Sequence, residues 1–344
     1  QLGLYPTKTL IASAERFHHA AHSEAFGVTA KVVTFDYAVM TERKNDVVKR
    51  LSGGIQGLLK SNGVEAITGA ARFEGPNRIS VVQPDGATRW LSAATIIIAA
   101  GSDSAMPGFL PKDKRVMDSR AFLDLKALPE RLLILGGGVI GCEFACMAAA
   151  LGTKVTVVEM LEDIIMVLDR DVRRVLRKRM EALGVTFLTG APLTDIVVKN
   201  GEVSGTYKDQ TVTGDLLLVA VGRRPNTAAL DLARAGVNVD ERGTIPVDKQ
   251  GRTNVASIFA VGDLVTGSIQ LAHAATQQGV VAAEAAVGMK STVEKICPSC
   301  IFTSPEIGLA GLSETQAQKL GRDVKTAVFP FVALGKAMAA GETD

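Results

Sequence analysis

The sequence predicts an α/β protein in which one parallel-sheet domain occurs twice in tandem. Apolar strands alternate with amphipathic helices, a glycine-rich turn joins one strand to a helix, and two separated segments recur at a constant spacing. Gly63–Ala70 resembles Gly184–Ala191, and the strand that closes at Gly101 resembles the one that closes at Gly222. Because 184 exceeds 63 and 222 exceeds 101 by the same 121 residues, we infer duplicated domains.

Apolar periodicity predicts the individual elements of both copies. A period near 3.6 predicts helices, and short apolar runs between turn residues predict strands. The predicted helices cover Thr7 to about Phe26, Tyr37–Asn62, a segment that opens near Gly138, and Asp169–Leu183. The predicted strands are Glu65–Thr68, Ala71–Phe73, Ile79–Val82, Thr88–Leu91, Thr95–Ala100, Arg131–Leu135, Lys154–Glu159 and Leu216–Val221.

The two copies differ at their starts. In the second copy a βαβ unit precedes the repeat, and the offset maps its Gly136–Gly141 turn onto Glu15–Ala20, which contains no glycine. Either the first copy never had the matching βαβ unit, or an insertion places that unit upstream of Gln1. We favour the second explanation and expect a chain that is truncated at the front, with an incomplete first domain.

Composition narrows the class of protein. The 344 residues are 47% hydrophobic and 22% charged with a formal net charge of +2, which is typical of a globular protein. The balanced charge gives no reason to expect nucleic acid or an anionic membrane as a partner. No apolar run approaches the roughly 20 residues of a membrane span. The four cysteines favour a reducing, cytoplasmic setting over a disulfide framework.

The glycine-rich turn predicts a Rossmann-like site for a nicotinamide dinucleotide. In Gly136-Gly137-Gly138-Val139-Ile140-Gly141, Gly136 permits the tight turn, Gly138 lets the backbone approach a diphosphate, and Gly141 lets helix and strand pack closely. The helix that follows offers N–H groups and a positive dipole end to the phosphates. Glu159 ends the next strand, where a carboxylate accepts hydrogen bonds from the adenosine ribose and repels a 2′-phosphate, so NAD is favoured over NADP.

Several further motifs resemble the FAD-dependent pyridine nucleotide–disulfide oxidoreductases, and most closely the dihydrolipoyl dehydrogenase members of that family. The three matching segments are Thr95–Ser102, in which Ala100 stands where threonine is usual, Ala220–Thr227, and Thr253–Asp263. The resemblance covers essentially the whole chain. It implies two tandem dinucleotide-binding domains, one for FAD and one for NAD, followed by the start of an α+β dimerisation domain.

The resemblance also implies domain bounds and site residues. The FAD-binding domain would comprise 1–117 and 241–290, the NAD-binding domain 118–240, and the partial dimerisation domain 291–344, with a homodimer as in relatives. Residues implied to bind NAD are Gly136, Gly138, Val139, Ile140, Gly141, Glu143, Glu159 and Gly222. Residues implied to bind FAD are Lys8, Ala100, Gly101, Gly262, Asp263, Ala272 and His273. No metal site is expected.

The chain departs from the family at the redox disulfide. Gly3–Leu10 resembles the tail of the family's redox signature, but Leu4 occupies the position of the second cysteine. Lys8 and Glu143 resemble a pair that positions the nicotinamide and tunes the flavin. The family's catalytic His–Glu pair has no counterpart here.

Three hypotheses follow for the activity of the chain. The first is a dihydrolipoyl dehydrogenase (EC 1.8.1.4) that transfers electrons between dihydrolipoamide, carried on a lipoyl domain, and NAD, present here as a fragment. The second is a thiol-independent NADH-oxidising flavoprotein or diaphorase, and the third is a catalytically inactive family member.

Overall fold

The computed structural model describes residues 4–293 and 296–343, which form two compact units. Over its described residues, the first unit holds 51–103, 223–293 and 296–297, and the second holds 4–50, 104–222 and 298–343. The four domain bounds inferred above remain predictions. Within the described residues, no helix is long and apolar enough to cross a membrane.

In the described residues, two α-helices come first, and helices alternate regularly with single strands only over residues 119–189. The α-helices are α1 (Leu4–Ala21), α2 (Tyr37–Ser61), α3 (Ser119–Leu123), α4 (Val139–Ala150), α5 (Arg170–Ala182), α6 (Ala272–Ala286), α7 (Glu314–Lys319) and α8 (Gly335–Ala340). The strands are β1 (Ala70–Gly75), β2 (Arg78–Val82), β3 (Thr88–Ser92), β4 (Ile96–Ile98), β5 (Ser102–Ser104), β6 (Val116–Asp118), β7 (Arg131–Leu135), β8 (Lys154–Glu159), β9 (Thr186–Thr189), β10 (Leu193–Lys199), β11 (Glu202–Tyr207), β12 (Gln210–Gly214), β13 (Leu216–Val219), β14 (Arg223–Pro225), β15 (Ile258–Ala260), β16 (Ser299–Ile301) and β17 (Ile307–Leu309).

The second unit is built on a five-stranded parallel sheet in the order β6-β13-β7-β8-β9. Its central strand β7 buries four consecutive apolar side chains, as a strand covered on both faces must. The chain passes from β7 through α4 to β8, while β13 lies on the other side of β7. The strand order therefore reverses between β7 and β13, and a crevice at such a switch point is where open α/β sheets bind ligands. This confirms the predicted parallel-sheet fold class.

The first unit repeats part of the second. An antiparallel meander, β1-β2-β3, precedes β4, just as β10-β11-β12 precedes β13. Adding 121 residues to Ile96–Ile98 gives 217–219, which lies inside β13. In the first unit β4 pairs in parallel with β15. The structure thus shows the duplication that the sequence repeat predicts.

One predicted strand is wrong. Glu65–Thr68 forms no strand, although its repeat counterpart in the second copy, β9, pairs along β8. The counterpart of β8 in the first copy would fall at 33–38, which is irregular chain leading into the first residues of α2. A strand needs a ladder partner for its backbone groups, and the described residues place none beside Glu65–Thr68.

Helix α1 differs slightly from its prediction but sets the geometry of the site. It runs from Leu4 to Ala21, and a separate 3-10 turn, Ser23–Phe26, follows it. Leu10 and Ala14 on α1 are buried in the same core cluster as Phe144 and Ala145 on α4. This packing holds two helices together whose polar side chains meet in the site.

Candidate active site

The glycine-rich turn forms a backbone cradle at the switch point of the sheet. It leaves β7 at Gly136, whose φ of +110° lies in the region that favours glycine, and enters α4 at Gly138. Gly138 is the N-cap of α4 and supplies no side-chain cap. The first N–H groups of a helix have no partner within that helix and carry its positive dipole end. The cradle is therefore suited to an anionic group such as a diphosphate.

The three predicted glycines have different surroundings. A Cβ on Gly136 would meet the Ala220 carbonyl oxygen at 2.5 Å, and one on Gly141 would meet the Gly136 carbonyl oxygen at 2.0 Å. A Cβ on Gly138 would meet no protein atom within 4 Å. Gly136 and Gly141 are thus required for packing, whereas Gly138 faces open space that a phosphate could fill. The residues of the cradle fit a dinucleotide diphosphate.

Glu159 is held at the carboxyl end of β8 beside this cradle. Its Oε2 accepts a hydrogen bond from the Gly137 N–H at 2.7 Å, and its Oε1 accepts one from the Leu161 N–H at 2.8 Å. Each carboxylate oxygen retains a further lone pair for a sugar hydroxyl. The two backbone hydrogen bonds fix the acceptor before any ligand arrives.

A buried ion pair joins α1 to α4 five residues beyond Gly138. Lys8 Nζ lies 2.7 Å from Glu143 Oε1, and Glu143 is only 6% exposed. The same oxygen accepts a hydrogen bond from the Phe302 N–H at 2.9 Å. The Lys8 ammonium also lies 3.7 Å from the centre of the Phe302 ring. A buried carboxylate requires such partners, because an unpaired charge in the interior is costly.

The remaining predicted NAD residues lie near the cradle. Val139 and Ile140 form the first turn of α4 and are half-buried. Gly222 follows β13, has a φ of +127°, and accepts a hydrogen bond from the Ala105 N–H through its carbonyl oxygen. The described residues thus bring the ends of β7 and β13 and the start of α4 together at the switch point of the sheet.

In the first unit, Asp263 is held by two residues that sequence reasoning missed. Its Oδ2 accepts a hydrogen bond from Ser102 Oγ at 2.6 Å and lies 3.5 Å from Arg223 Nε. Arg223 also donates to Ser102 Oγ at 2.7 Å. Ser102 lies directly after Gly101, which is implied to bind FAD. The contacts of Ser102 therefore bring Asp263 to the end of the Thr95–Ser102 motif. These contacts leave Oδ1 for another donor, as a ribitol-binding carboxylate requires.

The other residues implied for FAD also belong to this unit, apart from Lys8. Gly262 has a φ of +82°, and its N–H donates to Gln278 Oε1 at 2.7 Å. The carbonyl oxygens of Ala100 and Gly101 accept hydrogen bonds from Asn226. Ala272 and His273 open α6, whose N-cap makes no side-chain hydrogen bond.

The described residues suit the flavin end of FAD, but the repeat does not supply a glycine cradle for its diphosphate. Asp263 and the uncapped start of α6 suit the ribitol and the ring of the flavin. Glu15–Ala20, which the repeat maps onto the glycine cradle, is part of helix α1. These six residues therefore form no second diphosphate cradle.

The cysteines of α4 are not activated thiols. Burial raises the pKa of Cys142 well above its ordinary value, and burial raises the pKa of Cys146 to about 11. Burial, followed by the charge of Glu306, also raises the pKa of Cys300. The thiolate is the reactive form of cysteine, so the two buried thiols of α4 are unreactive near neutral pH. Within the described residues, no group of three or more His, Cys, Asp and Glu side chains could hold a metal ion.

Leu4, which occupies the second redox-cysteine position in the sequence comparison, is the first residue of α1. Its side chain lies outside the described part of the structure, so its surroundings remain untested.

Comparison with known families agrees with the geometry. The profile of the pyridine nucleotide-disulphide oxidoreductase family matches residues 2–279. The profile of the dimerisation domain of the same family matches residues 297–344.

Curated relatives match over the whole chain. A dihydrolipoyl dehydrogenase of Chlamydia pneumoniae is 40% identical over 344 residues, which is 99% of this chain and 74% of the relative. A dihydrolipoyl dehydrogenase of Geobacillus stearothermophilus is 39% identical over 348 residues, covering 100% of this chain and 74% of the relative.

Solved structures show the same architecture. LpdA from Mycobacterium tuberculosis matches with a TM-score of 0.91 at 27% identity, over 99% of this chain and 75% of that one. The Cu(II) complex of RclA, an HOCl-induced flavoprotein disulfide reductase from Escherichia coli, matches with a TM-score of 0.87 at 30% identity. That match covers 100% of this chain and 75% of RclA.

Proposed function

The chain belongs to the pyridine nucleotide-disulphide oxidoreductase family, and we propose that it transfers electrons between dihydrolipoamide and NAD, as a dihydrolipoyl dehydrogenase. Members of this family use FAD and NAD. The observation that carries the proposal is the Lys8–Glu143 ion pair, which joins α1 to the helix that begins at the cradle. The identity of 35–40% to several dihydrolipoyl dehydrogenases supports the choice of substrate.

Each part of the site has a role in this proposal. The N–H groups at the start of α4 bind the diphosphate of NAD, and Glu159 accepts hydrogen bonds from the adenosine ribose. Val139, Ile140 and Gly222 line the path to the nicotinamide. When bound, the reduced flavin of FAD would supply the hydride and NAD would accept it. Lys8 and Glu143 orient the reacting rings and exclude water between α1 and α4.

The second candidate is a thiol-independent NADH-oxidising flavoprotein, and Leu4 is the observation that favours it. A leucine has no thiol for the dithiol step at this position. Burial and the raised pKa values of Cys142 and Cys146 make these two residues poor substitutes for a redox pair. A reaction without thiols would pass electrons from NADH through the flavin to a quinone or another soluble acceptor. A catalytically inactive family member is the remaining alternative.

We also propose a homodimer and a cytoplasmic location. The match of residues 297–344 to the dimerisation domain supports the dimer. The low count of four cysteines, too few for a disulfide framework, supports a reducing compartment.

The experiment compares two electron-transfer reactions of the 344-residue protein loaded with FAD. Steady-state rates are measured for NAD-dependent oxidation of dihydrolipoamide and for NADH-dependent reduction of a quinone. An anaerobic NADH titration is followed for the long-wavelength charge-transfer band of a thiolate next to the flavin.

The outcomes separate the candidates. Turnover of dihydrolipoamide with the band present supports the dihydrolipoyl dehydrogenase. Quinone reduction without turnover of dihydrolipoamide, and with no band, rejects it in favour of the thiol-independent enzyme. Retention of FAD without reduction by NADH rejects both. Glu143→Gln is expected to lower the rate of either activity, whereas the exposed Glu162→Gln serves as the matched control.

A further inference from the structure

We propose that Phe302 is a positioning residue for the Lys8–Glu143 pair, so that the segment that follows β16 sets the geometry of the hydride-transfer site. This inference rests on the proposed function, because it concerns the same pair. Phe302 lies 159 residues from Glu143 in sequence and belongs to the segment that matches the dimerisation domain.

Phe302 contacts both members of the pair through different groups. Its backbone N–H donates to Glu143 Oε1 at 2.9 Å, and its ring lies 3.7 Å below the Lys8 ammonium. The aromatic face attracts the cation by its quadrupole, and the N–H stabilises the carboxylate. Since Lys8 Nζ donates to the same Oε1, the three groups form one closed arrangement around a single oxygen. Moving Phe302 must therefore shift both charges.

The segment that carries Phe302 is fixed to the core by its neighbours. Ile301 is 3% exposed and packs in the same cluster as α4, and it pairs with Ile307 in the β16–β17 ladder. Thr303 is 1% exposed, and its hydroxyl donates to the Pro305 carbonyl oxygen at 2.8 Å. With buried residues on both sides, the backbone of Phe302 has little freedom. The ring of Phe302 therefore gives Lys8 a fixed surface.

The pair needs such a surface because its two members are unequally buried. The Glu143 side chain is 8% exposed, whereas the Lys8 side chain is 22% exposed and reaches the pair on a flexible stem. A lysine with several rotatable bonds does not by itself hold one orientation. The Phe302 ring keeps the Lys8 ammonium beside Glu143. The position of this positive charge relative to the flavin and nicotinamide rings is thereby fixed.

The experiment compares ring-less and ring-keeping variants of the FAD-loaded chain. Phe302→Met and Phe302→Leu remove the ring, Phe302→Tyr keeps it, and Phe331→Leu is the matched control because Phe331 is 56% exposed. The limiting rate of flavin reduction and the Kd for NADH are measured by anaerobic rapid mixing. The reactivity of Lys8 toward an amine-labelling reagent is measured separately by peptide mass spectrometry.

We expect both ring-less variants to reduce the flavin about tenfold more slowly, at an unchanged Kd for NADH, because misplacement of a positioning group lowers the rate of the step. The labelling rate of Lys8 rises several-fold in both. Phe302→Tyr and Phe331→Leu behave as the unchanged protein. In a Lys8→Met background, Phe302→Met has no further effect on the rate, a coupling that a merely structural role would not produce.

Unchanged rates and unchanged Lys8 labelling in both ring-less variants would overturn the inference. Equal effects of Phe302→Met with and without Lys8 would also overturn it. If NADH does not reduce the flavin of the unchanged protein, the proposed function fails. The labelling comparison then still decides whether Phe302 holds Lys8.

Discussion

Gly141 packs directly against Gly136, so that a Cβ on Gly141 would lie 2.0 Å from the Gly136 carbonyl oxygen. This contact explains why the turn between β7 and α4 requires glycine at both of its ends. It also separates residues needed for folding from residues needed for binding.

Substitutions of Gly141 and Gly138 are therefore expected to have different effects, the first on folding and the second on binding. Gly141→Ala is expected to destabilise the fold by about 2 kcal/mol, because the added methyl overlaps backbone atoms. Gly138→Ala meets no protein atom, so we expect about 1 kcal/mol or less from the loss of a good N-cap residue. The same change should weaken NADH binding by at least tenfold, roughly, if a phosphate occupies that space. Denaturant unfolding and calorimetry measure the two effects, and a Gly138→Ala protein that binds NADH normally would contradict the assignment.

Glu159 is predicted to control both affinity and cofactor choice. Glu159→Ala removes the acceptor of the Gly137 N–H and the ribose ligand, and we expect about a tenfold loss of NADH affinity. The preference for NADH over NADPH should shrink in parallel, because the charge that repels a 2′-phosphate is gone. Calorimetry with both nucleotides measures this change. Glu162→Ala is the control, since Glu162 is exposed, and an equal effect of both substitutions would mean that general surface charge is responsible.

Ser102 is predicted to support flavin binding through Asp263. Ser102→Ala removes the hydroxyl that donates to Asp263 Oδ2 and leaves Arg223 as its remaining cationic neighbour. We expect FAD to dissociate several-fold faster, with a larger effect for Asp263→Ala. The fraction of FAD retained after gel filtration measures this. Ser104→Ala is the control, and full retention of FAD by Ser102→Ala would contradict the role.

The Asp163 carboxylate is predicted to stabilise the second unit through its ion pairs with two arginines. It lies 3.1 Å from Arg173 and 3.1 Å from Arg177, and the Arg173 side chain is only 10% exposed. Asp163→Asn leaves a buried guanidinium without its anion, so we expect a loss of about 3 kcal/mol in the free energy of unfolding. Urea unfolding of this variant and of Glu162→Gln makes the comparison. Equal stability of the two would show that Arg173 finds another partner.

Cys146 is predicted to make stability fall at high pH. Burial raises its pKa in the folded chain to about 11, above the ordinary value of 9.0. The folded chain therefore holds this proton more tightly than the unfolded chain, and its contribution is complete below pH 9 and lost as the pH rises toward 11. Urea unfolding of the protein and of Cys146→Ala across this range is the test. Identical pH dependence in both proteins would contradict the shift.

Local sequence signals predicted the strands, the glycine-rich turn and the helix of the cradle closely. Arg131–Leu135 and Lys154–Glu159 form strands with the predicted bounds, because continuous apolar runs between turn residues leave little ambiguity in a buried parallel sheet. The Gly136–Gly141 turn has the predicted strand before it and the predicted helix after it. In this part of the chain, residues close together in sequence determine the secondary structure.

Contacts between distant segments could not be predicted in this way. Glu65–Thr68 has the pattern of a strand, but pattern alone does not supply the neighbouring strand that it needs. Phe302 reaches Glu143 across 159 residues, and Ser102 reaches Asp263 across 161. A phenylalanine and a serine carry no sequence signal for such roles, and only the folded chain brings them to the carboxylates.

The most direct test of the account is calorimetric titration of the FAD-loaded chain with NADH and with NADPH under identical conditions. The account predicts saturable binding of NADH at one site, with a Kd at least about tenfold lower than that for NADPH. Equal affinity for the two nucleotides, or no binding of either, would contradict the assignment of the cradle and Glu159 to NAD.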